Sequence, residues 1–395
     1  MHLAQHVPPP LEATVTGYFF SVFARSGTFA YLPEYASLLS KDVGVMQALC
    51  ASSLGSMALQ YNNDKLSQTA RHYYAASLLR VNQDLSQPAT AVLDSSLIRV
   101  LLLSAFEALC FHDGGDYHNW ATHIRGSSNL LLMRGKAQLK SPFGRLLFHH
   151  AGVNILINSV NHKVPVSVEL LELFEYATSS SLLPETVSIQ IMQLLSQAAV
   201  AAPMISNMPA EEAFMVLLQL DARATVFQNE LEETVPFETL QIANSVDGRR
   251  QSFGIDTFEG VMHRYADQQV ARLYNTARTT RLNVRQWMFK RLCDSSTQEH
   301  MQGWTRKRVL VEGAGLVSDM LASVPYSLDL LDSATSTEAR YLMWPLTNMA
   351  TLDVCPAPAK RYIIDSLRAL AEKFHLRRAK QAADILDRRE GEPIR

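Results

Sequence analysis

One short stretch concentrates side chains able to do chemistry. Phe111-His112-Asp113-Gly-Gly-Asp116-Tyr117-His118-Asn-Trp120-Ala-Thr-His123 offers three histidines and two aspartates as metal ligands or proton carriers. A metal site needs three or four such groups converging at ~2 Å on one ion, held by further hydrogen bonds. The Gly-Gly pair makes this loop pliable, His118 and His123 are poorly spaced for one helical face, and His-Glu-x-x-His is missing. The stretch therefore reads as a polar loop between helices followed by a helix histidine, and no metal or cofactor is expected. His149-His150 follow Leu146-Leu147-Phe148 and are expected at a helix surface. His72, beside Tyr73-Tyr74, is expected in the core or a pocket.

A second set is aromatic. In Arg340-Tyr-Leu-Met-Trp344-Pro345-Leu346 the proline removes one helical hydrogen bond, so a helix starts or kinks there. Trp344 then presents a large ring, expected in the core, with lining a ligand pocket between helices as the other reading. Tyr326 directly follows Pro325, where a helix over 307–324 is expected to stop. No nucleophile elbow, phosphate loop or dinucleotide turn is present. Gly313-Ala-Gly315 lies inside a helical pattern and reads as close helix packing. No catalytic residue is assigned.

Bulk properties narrow the class. Of 395 residues 47% are apolar and 19% charged, which fits a folded chain with a substantial core. A net charge of −2 gives no general attraction to nucleic acid or to an acidic membrane. Cys50, Cys110, Cys293 and Cys355 lie far apart among apolar neighbours, so they are expected in the core of a protein from a reducing intracellular compartment. Neither a secretory signal nor a membrane-spanning helix is expected.

The elements that must position these residues are helical. Residues 65–85 carry Leu66, Ala70, Tyr73, Tyr74, Ser77 and Val81 at three-to-four spacing behind the caps Asn63 and Asp64. Residues 94–110 form a wide apolar face after Asp94, and a third helix runs from near Asn119 to a left-handed stop at Gly135. Further helices are expected over 209–231, 256–292 (one, or two joined) and 358–388 (one or two). Sheet is expected to be minor. The fold class is all-α, one large multi-helix array over 11–388 with flexible ends at 1–10 and 389–395.

Charge is sorted along the chain. Residues 167–240 hold eleven acidic side chains against one basic, and 264–308 hold ten basic against three acidic. Arg278, Arg281 and Arg285 share a helical face, expected to be solvated or to lie against the acidic segment, with contact to nucleic acid or an acidic partner as the competing reading. The acidic segment is also a candidate activation surface through Glu211, Glu212, Glu230 and Glu232.

Two distant motifs carry a resemblance. Leu101-Leu-Leu-Ser-Ala-Phe-Glu107 precedes a helix with Trp120, His123, Gly126, Arg134 and Gly135. Ser323-Val-Pro-Tyr326, Trp344-Pro345-Leu346 and Arg361-Tyr-Ile-Ile follow in the second half. In order and spacing these motifs resemble the regulatory domain of fungal-specific transcription factors, over about residues 11–388. The resemblance implies a nuclear helical module that governs an attached DNA-binding domain. It also implies dimers or coregulators as partners and, for some members, sensing of small metabolites. The paired close-spaced cysteines of that family's zinc cluster are not found among these residues.

The leading expectation is thus a transcriptional regulator, controlling a metabolic pathway, that binds a small-molecule effector, a protein partner or a second copy of itself. It would not read DNA directly and would not engage a membrane. The motif positions Trp120, His123, Gly126, Arg134, Gly135, Tyr326, Trp344 and Pro345 are its candidate pocket or partner contacts. The alternative is a stand-alone metabolite-binding protein or pathway enzyme that reuses the fold, with His112, His118, His123 and Tyr326 as the residues to test. A purely structural scaffold is a third reading.

Overall fold

Short polar side chains start the helices. Asn63 accepts hydrogen bonds from the backbone amides of Lys65 at 3.0 Å and Leu66 at 3.2 Å, satisfying donors that the first turn leaves open. Asp42, Ser141 and Ser167 do the same for Val45, Gly144 and Leu170. The computed structural model describes residues 11–24, 28–110, 116–183, 186–242, 257–294, 300–301, 303–329, 336–374 and 376–391. They are overwhelmingly helical, and the chain forms two compact units, 1–134 and 135–395.

The first unit holds α1 (Leu11–Val22), α2 (Ala36–Leu39), α3 (Val43–Gln60), α4 (Asp64–Leu85), α5 (Pro88–Ala91), α6 (Asp94–Cys110) and α7 (Asp116–Arg134). Its centre is α3, buried along most of its length between α4, α6 and α1. Small residues make this possible: Ser52, Ser53, Gly55 and Ser56 are all buried, and Ser52 donates to the Leu102 carbonyl at 3.0 Å. Phe19 stacks on Phe23 at 4.9 Å between centroids and closes one end of the core.

The second unit holds α8 (Pro142–His162), α9 (Val168–Ser179), α10 (Thr186–Met204), α11 (Ala210–Thr234), α12 (Gln268–Asp294), α13 (Arg306–Asp329), α14 (Ser336–Ala350), α15 (Ala357–Phe374) and α16 (Arg377–Gly391). Two antiparallel ribbons join it: β1 (Glu238–Gln241) with β2 (Val261–Arg264), and β3 (His300–Met301) with β4 (Trp304–Thr305). The all-α expectation holds, with these short ribbons as the described sheet.

The axis of this unit is α12, packed between α11 and α13. Arg285 is 1% exposed, with Nη2 at 2.8 Å from Asp221 and 2.9 Å from Glu312. Arg281 reaches the other oxygen of Asp221 at 3.2 Å and Gln228 at 3.1 Å. The basic face thus lies against the acidic segment, because ions taken out of water need opposite charges beside them. Arg278 is 0% exposed and sits among the rings of Phe237, Tyr265 and Tyr274, with Nη1 donating to the Tyr265 hydroxyl at 2.6 Å.

Several expectations are corrected. The helix expected over 256–292 begins at Gln268, because 261–264 pair with β1 as strand. Pro325 does not end α13, which continues to Asp329, since a proline inside a packed helix forfeits one hydrogen bond without forcing a stop. Cys50 and Cys355 are buried, but Cys110 is half-buried and Cys293 exposed near the end of α12. The uncharged run Thr186–Asn207 is long and apolar enough to cross a membrane, contrary to expectation. Here its buried face, Ile191, Leu194, Leu195, Ala198 and Ala202, packs on α8, α9 and α11 as a core helix does. Of the C-terminal residues expected to be flexible, 389–391 complete α16. Residues 1–10 and 392–395 lie outside the described residues.

The close approach expected at Gly313 is present, where a Cβ would lie 2.9 Å from Val354. At Gly315 there is open space, so packing does not account for it.

Replacing Asp221 with alanine removes the carboxylate that Arg281 and Arg285 share and leaves Arg285 paired with Glu312. The expected loss is about 3 kcal/mol, read from urea unfolding, because an uncompensated charge stays buried. A loss below about 0.5 kcal/mol, the scale of an exposed pair, contradicts the buried ladder.

Candidate functional site

The second motif builds the wall of a cleft. Ser323 Oγ donates to the Met320 carbonyl at 2.7 Å and receives Asn275 Nδ2 at 2.9 Å, which fixes the Asn275 amide. Tyr326 donates from its hydroxyl to the Tyr265 carbonyl at 2.8 Å and so ties α13 to the chain just after β2. One residue on, Ser327 lines the cleft. Opposite stand Leu342, Trp344 and Pro345 of α14, with Ile157, Val160 and Asn161 of α8 and Leu195 of α10 closing the remaining sides.

The cleft encloses about 170 Å³, and its floor is one face of α12. Gln268, Ala271, Arg272, Asn275, Thr276, Thr279, Thr280 and Asn283 recur at three-to-four spacing, so they project from a single side of the helix. The arginines of the ladder leave α12 from its other faces. Trp344 is 39% exposed, contrary to the core position expected for it. With Pro345 beside it, Trp344 forms part of the cleft wall.

Two side chains in this lining are conspicuous. Gln268 and Asn283 are more than nine-tenths buried, and the amide nitrogen of each has no protein partner. A buried donor left open costs about 1–3 kcal/mol. Among the described residues lining the cleft Arg272 is the only charged one.

The first motif is organised differently, inside the first unit. Glu107 of α6 is buried, lies 2.7 Å from His123 Nε2 and accepts the hydroxyl of Tyr74. Burial, reinforced by the Glu107 carboxylate, raises the pKa of Tyr74 well above that of a free phenol. Arg134 is buried at the end of α7 and pairs with Asp94 at the start of α6. Asp94, in the first turn of α6, is thereby the counter-ion of Arg134. Gly135 follows at φ +51°, the left-handed stop expected of it, and Gly126 has nothing within 4 Å of where a Cβ would stand. The side chain of Trp120 lies outside the described residues. The roles of Glu107 and Arg134 are thus pairings within a helical core, while Trp344 and Pro345 line the cleft of the second unit.

No group of three His, Cys, Asp or Glu side chains converges as a metal site among the described residues. His112 and Asp113, with the side chains of Asp116 and His118, lie outside them. His72 is exposed on α4 rather than in the core or a pocket. His149 and His150 are corrected in the opposite sense: His150 is buried and His149 half-buried on α8. Burial lowers the pKa of His149 to about 4. For His150 burial comes first, with the charges of His149 and Arg272 adding to it, and the value falls to about 3. The contributors missed in the sequence are Gln268, Thr276, Thr279, Thr280 and Asn283. Their spacing was readable, but nothing in it says which side of the helix would face a cleft.

Both histidines bind a proton in the unfolded chain near pH 6.5 and resist one in the fold. Their linkage leaves stability intact above that pH and erodes it as pH falls from 6.5 toward 4. The thermal midpoint is expected to drop over this window, and His150→Gln should flatten the drop. An unchanged slope in that variant refutes the assignment to His150.

No curated protein and no solved structure matches the chain. A family model does, and it takes in Trp120, His123, Gly126, Arg134 and Gly135 but ends before Tyr326, Trp344 and Pro345. Residues 18–164 match the fungal specific transcription factor domain, the family that the two motifs together resemble over about residues 11–388.

Proposed function

We propose that this chain is a transcriptional regulator whose second unit binds a small effector in the cleft bounded by α8, α10, α12, α13 and α14. The family match supports the regulatory role. The observation that carries the effector is a cleft of about 170 Å³ in which Leu195, Leu342, Trp344 and Pro345 share the lining with amides and hydroxyls from one face of α12. Apolar walls with a few convergent polar groups are what small-molecule sites are made of. The lining offers amides, hydroxyls and a guanidinium, a set suited to holding a ligand rather than to relaying protons. That weighs against the enzyme alternative.

In this reading the protein works in the nucleus, through a protein partner or as a homodimer, and controls genes of a metabolic pathway. The acidic segment supplies a surface for such a partner. Asp221 faces inward to the arginines, whereas Glu211, Glu212, Glu230 and Glu232 are exposed on α11.

The test is a reporter driven by the full chain tethered to a heterologous DNA-binding domain. Wild type should drive a reporter output that changes with nutrient supply. Trp344→Ala and Thr279→Phe, which open and fill the cleft, should uncouple output from nutrients at equal protein level and unchanged helicity. Changing Glu211, Glu212, Glu230 and Glu232 together to glutamine should lower output severalfold without affecting the nutrient response. A silent wild type rejects the regulatory reading, and normal responses in both cleft variants reject the effector site.

A further inference from the structure

Two helix faces of the second unit are exposed and opposite in charge. We infer that they meet between two copies of this chain, α11 of each copy against α16 of the other, an inference that rests on α11 being the partner surface.

The face on α11 is built by Met215, Gln219, Ala222 and Val226, which recur at three-to-four spacing and are all exposed. Met215 is 43% and Val226 56% exposed, on the side of the helix away from its contacts with α10 and α12. Acids stand at both ends of this stripe: Glu211 and Glu212 before it, Glu230 and Glu233 after it, all exposed. Glu230 accepts a hydrogen bond from the neutral amide of Gln190, and no ion pair among the described residues engages any of the four.

Their position adds to the imbalance. Glu230 and Glu233 close the C-terminal end of α11, where unpaired carbonyls already make the helix end negative. The last turn holds no basic residue, and Arg223, the only one in the helix, stands about two turns earlier. A cation from outside the helix relieves both carboxylates.

The complement lies on α16, which packs on α14 and α15. Ile385 is 47% exposed, with Arg377, Gln381, Arg388 and Arg389 exposed around it. Arg388 Nε donates to the Asp384 carbonyl of its own helix at 3.1 Å, and no ion pair among the described residues engages Arg377, Arg388 or Arg389. Arg361 and Arg368, by contrast, share Asp387. Residues 357–391 hold nine basic side chains against five acidic, so this hairpin keeps a positive surplus of its own.

The spacings match. Arg388 and Arg389 lie three and four residues beyond Ile385, and Glu230 lies four beyond Val226. With the helices side by side and running the same way, Ile385 seated on Val226 brings both arginines level with Glu230, ~5–6 Å along the axis. A nucleic-acid backbone also attracts arginines, but it offers nothing to Ile385 and is repelled by α11. Because the two faces differ, a twofold pair makes the contact twice and covers both at once.

The experiment is sedimentation velocity of the full chain over ~1–100 μM, a range that brackets micromolar association. The expected species at low salt is a dimer that dissociates as salt approaches ~1 M, where charges are screened beyond ~3 Å. Glu230→Lys with Glu233→Lys, or Arg388→Glu with Arg389→Glu, should each weaken the dimer about tenfold or more, because like charges then face each other. Mixed in equal amounts, the two double variants should pair again, since both contacts regain opposite charges. Circular dichroism of each variant separates lost association from lost fold.

Unweakened dimers in either folded double variant overturn the inference, and so does failure of the mixed variants to pair. A chain that stays monomeric while the tethered reporter still falls on neutralising the α11 glutamates also overturns it, and leaves α11 as the surface for a different protein. A monomeric chain with a reporter indifferent to those glutamates overturns both readings.

Discussion

A buried arginine ladder governs the second unit. Arg285 between Asp221 and Glu312, and Arg278 inside a box of aromatic rings, remove two guanidinium charges from water in the middle of α12. Such charges tolerate few arrangements, because each must find its counter-charge or its polar contacts in the one place the fold provides them. The positions of α11 and α13 follow from that demand, since each supplies a carboxylate. Even the small ribbon β1–β2 is bound to it: His263 lies 3.4 Å from Arg278, and burial together with that neighbouring charge lowers its pKa to about 4. Asp319 feels the same balance from the other side, pushed up by burial and pulled down by Arg278.

The two motifs illustrate different uses of polar residues in helical proteins. Around Glu107 the groups are consumed internally, with Tyr74 and His123 converging on one carboxylate. Around Ser323 and Tyr326 the hydrogen bonds hold neighbouring parts in place, so that Asn275 and Ser327 stand at the edge of a cleft. Gln286 does related work at the far end of α12, donating to Asp353 at 2.6 Å and accepting from its backbone amide at 2.8 Å to fix the turn before α15.

Much of the fold was legible because helical periodicity is local. The helix behind Asn63, the stop at Gly135 and the start at Pro209 all rest on a few neighbouring residues. What escaped depends on partners far along the chain. The strand at 261–264 exists because 238–241 lie beside it. The depth of His149-His150 is set by how the surrounding chain folds over them, and neighbouring residues could not reveal it. Pro325 carries a local signal to stop, yet the packed faces of α13 on either side outweigh it. The cleft shows the same division: Trp344 and Pro345 stood out as residue types, whereas Thr276, Thr279 and Thr280 are ordinary helix residues until a wall faces them.

The two faces of α12 have a joint consequence. Rotating the helix by one residue, about 100°, would carry the ladder arginines away from Asp221 and Glu312 and swing the threonine row out of the cleft. The electrostatic lock on one side therefore fixes the template on the other. The polar groups along this wall are therefore held by the protein's own ion pairs, and their pattern is rigid whatever lies against it.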